Sequence, residues 1–448
     1  MNPSIQPRSA AVSRQLVPLV GSWLLLVVAV PLGLVGAVAA FFGAAYVTSG
    51  VLGLILVAIL ACLLITSGVA WLALGRIIPA RRGPVSLSVS ATTLLVLVLL
   101  STLIIFQPLV SSSEPTATLP AHARYWDLPT GSRIAYLKIP AVGVASATPI
   151  IVLHGGPGAW AVSSEPFTAF FSRFASLGYD VYLYDQIGSG LSARLDDPTA
   201  YTVARHVADL EAIRQQIGAE RVILLGESWG STLAASYMAL HLAHVVKVIF
   251  ESPGPLYYPE WRATGLSDLT ARLSAGQKQQ LAQAYDRPRF LVVETLLQIN
   301  PRAAHAFASD QEMDGFQNAA SRSTDLGASY VCDQAHLPTG NIVNNWGFYA
   351  SVITQANVFS SQADPRGSLA SNHTPALILT GECNYIKWDV TFEYERTLPN
   401  STLLYVPGAG HLMYLEQLAL FFASVRAFLR DQPLPLKPYT ERKPPTGH

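Results

Sequence analysis

Residues 1–110 contain no Asp, no Glu and no Lys; their only charges are Arg8, Arg14, Arg76, Arg81 and Arg82. A surface in contact with water needs charge of both signs, so this absence excludes an ordinary soluble domain there. The rest of the chain keeps 24 of the 29 basic residues and all 29 acidic ones. That mildly acidic balance argues against nucleic acid as a partner, which needs a basic face. Cysteine is scarce: Cys62, Cys332 and Cys383 are all there are in 448 residues. No internal repeat is evident.

What fills the first 110 residues is apolar. Leu16–Val47, Val51–Leu74 and Ala91–Val110 are uncharged runs, each long enough to cross the roughly 30 Å hydrocarbon layer as a helix of about 20 residues. A cleaved signal peptide would be a single short run. The expected spans are about 17–42, 51–74 and 91–110, within a transmembrane region 1–110. The arginines lie before the first run and between the second and third. Positive residues favour the cytoplasmic side. The expectation is therefore an integral protein of the cell membrane, N-terminus inside, with the remainder extracytoplasmic and the lipid bilayer as partner. Cys62 reads as an apolar filler of the second run. Cys332 and Cys383 would face an oxidising side and are the candidates for a disulfide.

The Ser-, Thr- and Pro-rich stretch 111–123 reads as a linker. Two strands follow near 124–128 and 133–139, joined by Pro129-Thr130-Gly131-Ser132. From 149 to 251 apolar strands alternate with helical runs, the pattern of a parallel sheet covered on both faces. After Glu251 the strands stop for about 120 residues and resume at Ala376. The expected organisation is an α/β core at 124–251 and 372–433, a helical cap at 252–371 and a tail at 434–448.

The chemistry starts at Gly226-Glu227-Ser228-Trp229-Gly230, between an apolar strand and a helix-like run. Gly-x-Ser-x-Gly in that context is a nucleophile elbow: a tight turn lifts the serine hydroxyl clear of the sheet. A serine needs a base, and His411 follows the last strand in a glycine-rich loop. The backbone N–H of Trp229 and one in the loop His154-Gly155-Gly156-Pro157-Gly158, assigned to Gly156, are the expected oxyanion donors. His154 itself reads as a hydrogen-bonding member of its loop.

The set His-Gly-Gly-Pro-Gly, Asp185-Gln186-x-Gly188-x-Gly190, Asp209-Leu210-Glu211 and Gly-x-Ser-Trp-Gly-Ser resembles the proline iminopeptidase family of α/β-hydrolases. The resemblance covers roughly 125–251 and 376–430. It implies an α/β-hydrolase fold with a helical cap and a serine peptidase that removes an N-terminal residue from short peptides. No cofactor and no metal are expected. Two positions depart from the family. Ile187 stands where arginine is usual, and Asn384 stands where the family has its triad aspartate. An amide orients the imidazole but does not stabilise its charged form. Glu251, at the end of the strand before the cap, is the first candidate for a replacement acid. Glu382 is the second, an impaired Asn384 triad follows closely, and Asp389 lies further on. Family cap glutamates hold the substrate amine; the acidic candidates here are Glu260, Glu294 and Glu312. The substrate is thus expected to be a small peptide. The alternatives are an ester, cleaved by a carboxylesterase or lipase, and a non-catalytic receptor or scaffold that kept the fold.

Overall fold

Apolar strands with no room for water on either face set the architecture of the second part of the chain. The computed structural model describes residues 9–110, 119–324, 326–338 and 345–445, with side chains from residue 19 onward. Arg8, most of the expected linker and the end of the tail lie outside these residues. The chain divides into two units: 1–109 with 286–309, and 110–285 with 310–448.

The first unit is helical. α1 (Ser9–Ala45), α2 (Val51–Ile77) and α3 (Arg82–Leu100) are long, and α3 continues into a π-helical turn, Ser101–Ile105. Three stretches, 19–45, 51–77 and 79–105, are long and apolar enough to cross a membrane. The third begins about a dozen residues before the expected 91. Ser86, Ser88, Ser90 and Thr93 explain the difference. Their hydroxyls donate to carbonyls three or four residues earlier, which satisfies polar groups inside the helix.

The rest of the first unit comes from the expected cap. Two helices of that region, Pro288–Ile299 and Pro301–Phe307, pack with the long helices. Phe307 meets Phe41 and Phe106 edge-on or tilted, at 6.1 and 5.9 Å. Arg289 donates to the carbonyls of Ile105 and Phe307, and Asn300 to that of Ala45. The cap at 252–371 is therefore not one body. Its middle is an apolar hairpin that finds its partners in the first unit.

The second unit is built on an eight-stranded sheet of order β1-β2-β4-β3-β5-β6-β7-β8. The strands are β1 Arg124–Asp127, β2 Arg133–Ile139, β3 Ile150–Leu153, β4 Val181–Tyr184, β5 Val222–Glu227, β6 Val245–Glu251, β7 Ala376–Gly381 and β8 Ser401–Val406. β1 and β2 run antiparallel to their neighbours, and β4, β3, β5, β6, β7 and β8 are mutually parallel. Helices α4 (Glu165–Phe171) and α5 (Val203–Ile217) connect the first parallel strands, and α6 (Trp229–Leu240) follows the elbow. Counting the hairpin as α8 and α9, its neighbours in the insertion are α7 (Ala275–Tyr285), α10 (Asp310–Ser323), α11 (Phe348–Ser361) and α12 (Arg366–Leu369). Then come α13 (Trp388–Thr397), α14 (Met413–Glu416) and α15 (Leu418–Leu429).

One face of the sheet carries an aromatic core. Phe167, Phe170, Phe171 and Phe174 pack in one cluster with Tyr414, Phe421 and buried Ile150, Leu183, Leu225 and Leu379. Asp209 accepts from the Ser132 and Thr130 hydroxyls, at 2.6 and 2.5 Å, and so ties α5 to the β1–β2 turn. This core and tie hold the carboxyl ends of β3, β5, β7 and β8 together, where ligands of open α/β sheets bind.

Candidate active site

β5 ends by delivering Glu227 and Ser228 into a turn that L-residues rarely make. Ser228 has φ 55° and ψ −118°, a conformation that costs about 1–3 kcal/mol and persists only where its surroundings enforce it. Those surroundings are specific. Ser228 N–H donates to the Glu251 carbonyl at 2.9 Å, and its own carbonyl accepts from Gly254 N–H at 3.0 Å. A Cβ on Gly226 would strike the Gly230 carbonyl, and one on Gly230 would strike the Leu153 carbonyl. Trp229 opens α6, where the first backbone N–H groups have no intrahelical acceptor.

The two other glycine motifs hold this turn. His154 Nδ1 lies 2.9 Å from the Gly155 carbonyl, and its Nε2 accepts from Gln186 N–H at 2.9 Å. Burial pushes its pKa down to about 4, so it is neutral and structural. The Gln186 side chain donates to the His154 carbonyl and accepts from the Trp229 indole at 2.9 Å. Buried Asp185 accepts from the N–H groups of Ala161, Val162 and Leu191. Gly156 and His154 line the cavity in front of Ser228.

His411 sits in the loop after β8, buried at 2 % exposure. Its Nδ1 is 2.8 Å from Asn384 Oδ1. The orientation of that amide follows from its other bonds: Nδ2 donates to Thr380 Oγ1 at 3.2 Å, and Oδ1 accepts from Ile386 N–H at 3.2 Å. Asn384 therefore accepts from Nδ1–H and leaves Nε2 unprotonated. Burial pushes the imidazole pKa down to about 3, which keeps it neutral and proton-accepting at rest.

The candidate acids ranked ahead of Asn384 are held by other groups. Glu251 lies opposite Glu227 in the β5–β6 register and is fully buried. Its Oε1 is within 3.3 Å of Met413 N–H and 3.2 Å of Ser252 Oγ. His411 Nδ1 is taken by Asn384, which follows the end of β7. Glu382 instead accepts from Gly408 N–H at 2.8 Å, and Asp389 starts α13. The residue the sequence reading passed over is Glu227. Its Oε1 is 3.5 Å from His411 Nε2. The available signal was a carboxylate beside the nucleophile in the elbow.

A cavity of about 460 Å³ opens above these groups, lined by Glu227, Ser228 and His411 and by aromatic and aliphatic walls including Trp160, Phe167, Leu269, Tyr330, Trp346 and Tyr385. None of the expected amine-binding glutamates lines it. Glu260 pairs with Arg366, Glu294 lies on α8 in the first unit, and Glu312 is in the first turn of α10. Glu227 is the cavity's carboxylate among the described residues. The indole N–H of Trp160 is buried in the wall without an acceptor. Cys332 and Cys383 are bonded, with Cα atoms 5.3 Å apart. The bridge joins the insertion to the residue before Asn384, next to the point where Tyr330 accepts from Leu412 N–H. As for metals, Glu211, His241 and His244 bring ligand atoms within 4.8 Å of one another. The Glu211 carboxylate, however, is already held by Arg214, Gln215 and Tyr237.

A family model described as alpha/beta hydrolase fold matches residues 148–418. A proline iminopeptidase of Lactobacillus delbrueckii subsp. lactis is 29 % identical over 304 residues, 66 % of this chain and 94 % of that protein. One from Heyndrickxia coagulans is 40 % identical over 124 residues, 28 % of this chain and 41 % of that protein. Among solved structures, the proline iminopeptidase of Mycobacterium smegmatis is 23 % identical, with a TM-score of 0.46, covering 69 % of this chain and 98 % of that one.

Proposed function

The chain belongs to the alpha/beta hydrolase fold family, and from that membership we propose a serine hydrolase that acts through an acyl-enzyme on Ser228, of aminopeptidase type. The observation that carries the reading is the imidazole of His411. Asn384 holds it at Nδ1, and its unprotonated Nε2 shares a cavity with a strained Ser228. In the proposed reaction Ser228 Oγ attacks the substrate carbonyl while its proton passes to His411 Nε2. The N–H groups of Gly156 and Trp229 receive the oxyanion. His411 then protonates the leaving amine, and water repeats the sequence to release the acid. The Trp160 N–H offers a further donor for a substrate carbonyl.

The peptide preference rests on relatives that are proline iminopeptidases, the one from Lactobacillus delbrueckii subsp. lactis being matched over 94 % of its length. One observation favours a second reading, an esterase. The cavity walls are apolar and none of the three glutamates of the insertion lines them. Labelling with a fluorophosphonate probe tests the common chemistry: Ser228 should be modified and Ser228→Ala should not. Turnover of prolyl-naphthylamide against nitrophenyl esters separates the two substrate classes, and turnover of esters alone would refute the peptidase reading.

We further propose that the three apolar helices anchor the protein in the cell membrane with the hydrolase unit on the outer side. The support is the placement of Arg8, Arg14, Arg76, Arg81 and Arg82 and a disulfide suited to an oxidising compartment. Protease added to intact cells should digest the hydrolase unit; protection until the membrane is opened would reverse this topology.

A further inference from the structure

The catalytic arrangement just proposed has an imbalance. An imidazole that accepts a proton at this buried position becomes a buried cation, and its Nδ1 partner here is a neutral amide. Loss of the carboxylate at that position in a serine triad costs on the order of 10⁴ in rate. Something else must carry negative charge, or the site is slow.

The opposite side of the ring holds a carboxylate. Glu227 ends β5, and its side chain is 8 % exposed. One oxygen, Oε2, accepts from Gly155 N–H at 2.7 Å, and the other, Oε1, lies 3.5 Å from His411 Nε2. The contact with Gly155 requires glycine there, since a Cβ would sit 2.6 Å from Oε2. The carboxylate is thus held in place by the same loop that precedes Gly156. Its neighbour across the sheet, Glu251, does not compete. Burial and the Glu227 charge raise its pKa well above the usual carboxylate range, and its Oε2 has no partner, as suits a protonated acid. The other groups facing Glu227 are Tyr330 from the insertion, Tyr385 after β7 and Tyr414 on α14. None of them is a lysine or arginine.

We propose that Glu227 is the counter-charge of the catalytic histidine: Asn384 orients the imidazole through Nδ1, and Glu227 stabilises the imidazolium from the Nε2 side. The inference rests on the serine-hydrolase reading above. As the Oγ–carbon bond forms, the Ser228 O–H bond breaks and its proton moves to Nε2. The carbonyl π pair becomes the oxyanion, and Glu227 makes no covalent bond. It is a positioning residue acting through His411, and only its ionised form does the work. Burial pushes its pKa up to about 7, so reactivity should climb as pH rises through neutrality.

The test uses the full chain in detergent and the rate of fluorophosphonate labelling at Ser228 from pH 5 to 9. Glu227→Gln keeps the acceptor for Gly155 N–H and removes the charge. At pH 8 it should slow labelling at least tenfold and abolish the rise centred near pH 7. Glu227→Asp, which keeps a carboxylate, should retain a rise with pH. If Glu227→Gln labels as fast as the parent with the same profile, the inference fails although the hydrolase reading stands. If the Gln variant loses only affinity for substrates with a free amine, the charge binds substrate and the inference is overturned. If the parent itself does not label, the hydrolase reading fails first.

Discussion

Exchanging Asn384 for Asp restores a carboxylate to the position of the triad acid, and its effect should depend on residue 227. At an effective dielectric of about 20, a unit charge at the Nδ1 partner (2.8 Å) and one at the Nε2 partner (3.5 Å) stabilise an imidazolium by about 6 and about 5 kcal/mol before desolvation. The two positions are thus comparable sources of the same stabilisation. With Glu227 ionised, Asn384→Asp should speed labelling by about tenfold or less, because the cation already has its counter-charge. In the Glu227→Gln background the same exchange should gain about 10²–10³, within the roughly 10⁴ ceiling known for triad carboxylates. The assay is the second-order rate of Ser228 labelling by a fluorophosphonate at pH 8 for the four proteins of the cycle. Equal gains in both backgrounds would show that Glu227 supplies no charge. No gain in either would show that residue 384 does not govern the imidazole.

Other outcomes follow from neighbouring geometry. The Glu227 pKa is raised from the ordinary 4.5 to about 7, so the folded state holds that proton more tightly than the unfolded chain does. The stabilisation is complete below pH 4.5 and lost as pH rises to 7, about 3 kcal/mol in all. Glu227→Gln should therefore melt higher than the parent at pH 8, with the gap closing near pH 4.5, as read by thermal unfolding of the solubilised chain. Replacing both Cys332 and Cys383 by Ser opens a loop of 51 residues and should cost about 4 kcal/mol by chain entropy, seen as a lower melting temperature and slower labelling at unchanged Ser228. Trp160→Phe removes an unpaired donor from the cavity wall and should raise KM with little change in melting temperature. Gly155→Ala should reduce labelling at least tenfold, because its Cβ cannot share space with the Glu227 carboxylate.

Much of the site was legible because its parts are local. Gly226, Ser228 and Gly230 announce the elbow through the only backbone path that such a turn allows. The His154 and Asp185 motifs have short-range hydrogen bonds that demand those residue types. His411 follows a strand in a glycine-rich loop for the same reason. The alternation of apolar strands and helices settled the α/β fold, since a strand apolar on both faces has to be covered twice. The absence of acid before residue 110 likewise marked the apolar helices.

What the sequence could not decide was everything set by register across the sheet. Glu251, Glu382 and Asn384 are all within reach of His411 on paper. The pairing of β6 with β7 and of β7 with β8 brings Asn384 to Nδ1, while Glu251 is bonded to Met413 and Ser252. The same β5–β6 pairing sets Glu227 beside Glu251 and aims it at Nε2. The helices Pro288–Ile299 and Pro301–Phe307 read as cap by position, yet they belong to the unit of the long helices, where Phe307 packs on Phe41 and Phe106. By itself the sequence determined the fold, the elbow at Ser228 and the glycine-rich loop of His411, because each is written in neighbouring residues. Only the tertiary structure decided which polar group faces each ring nitrogen, because those residues lie 27 and 184 positions from His411 and meet it through the fold.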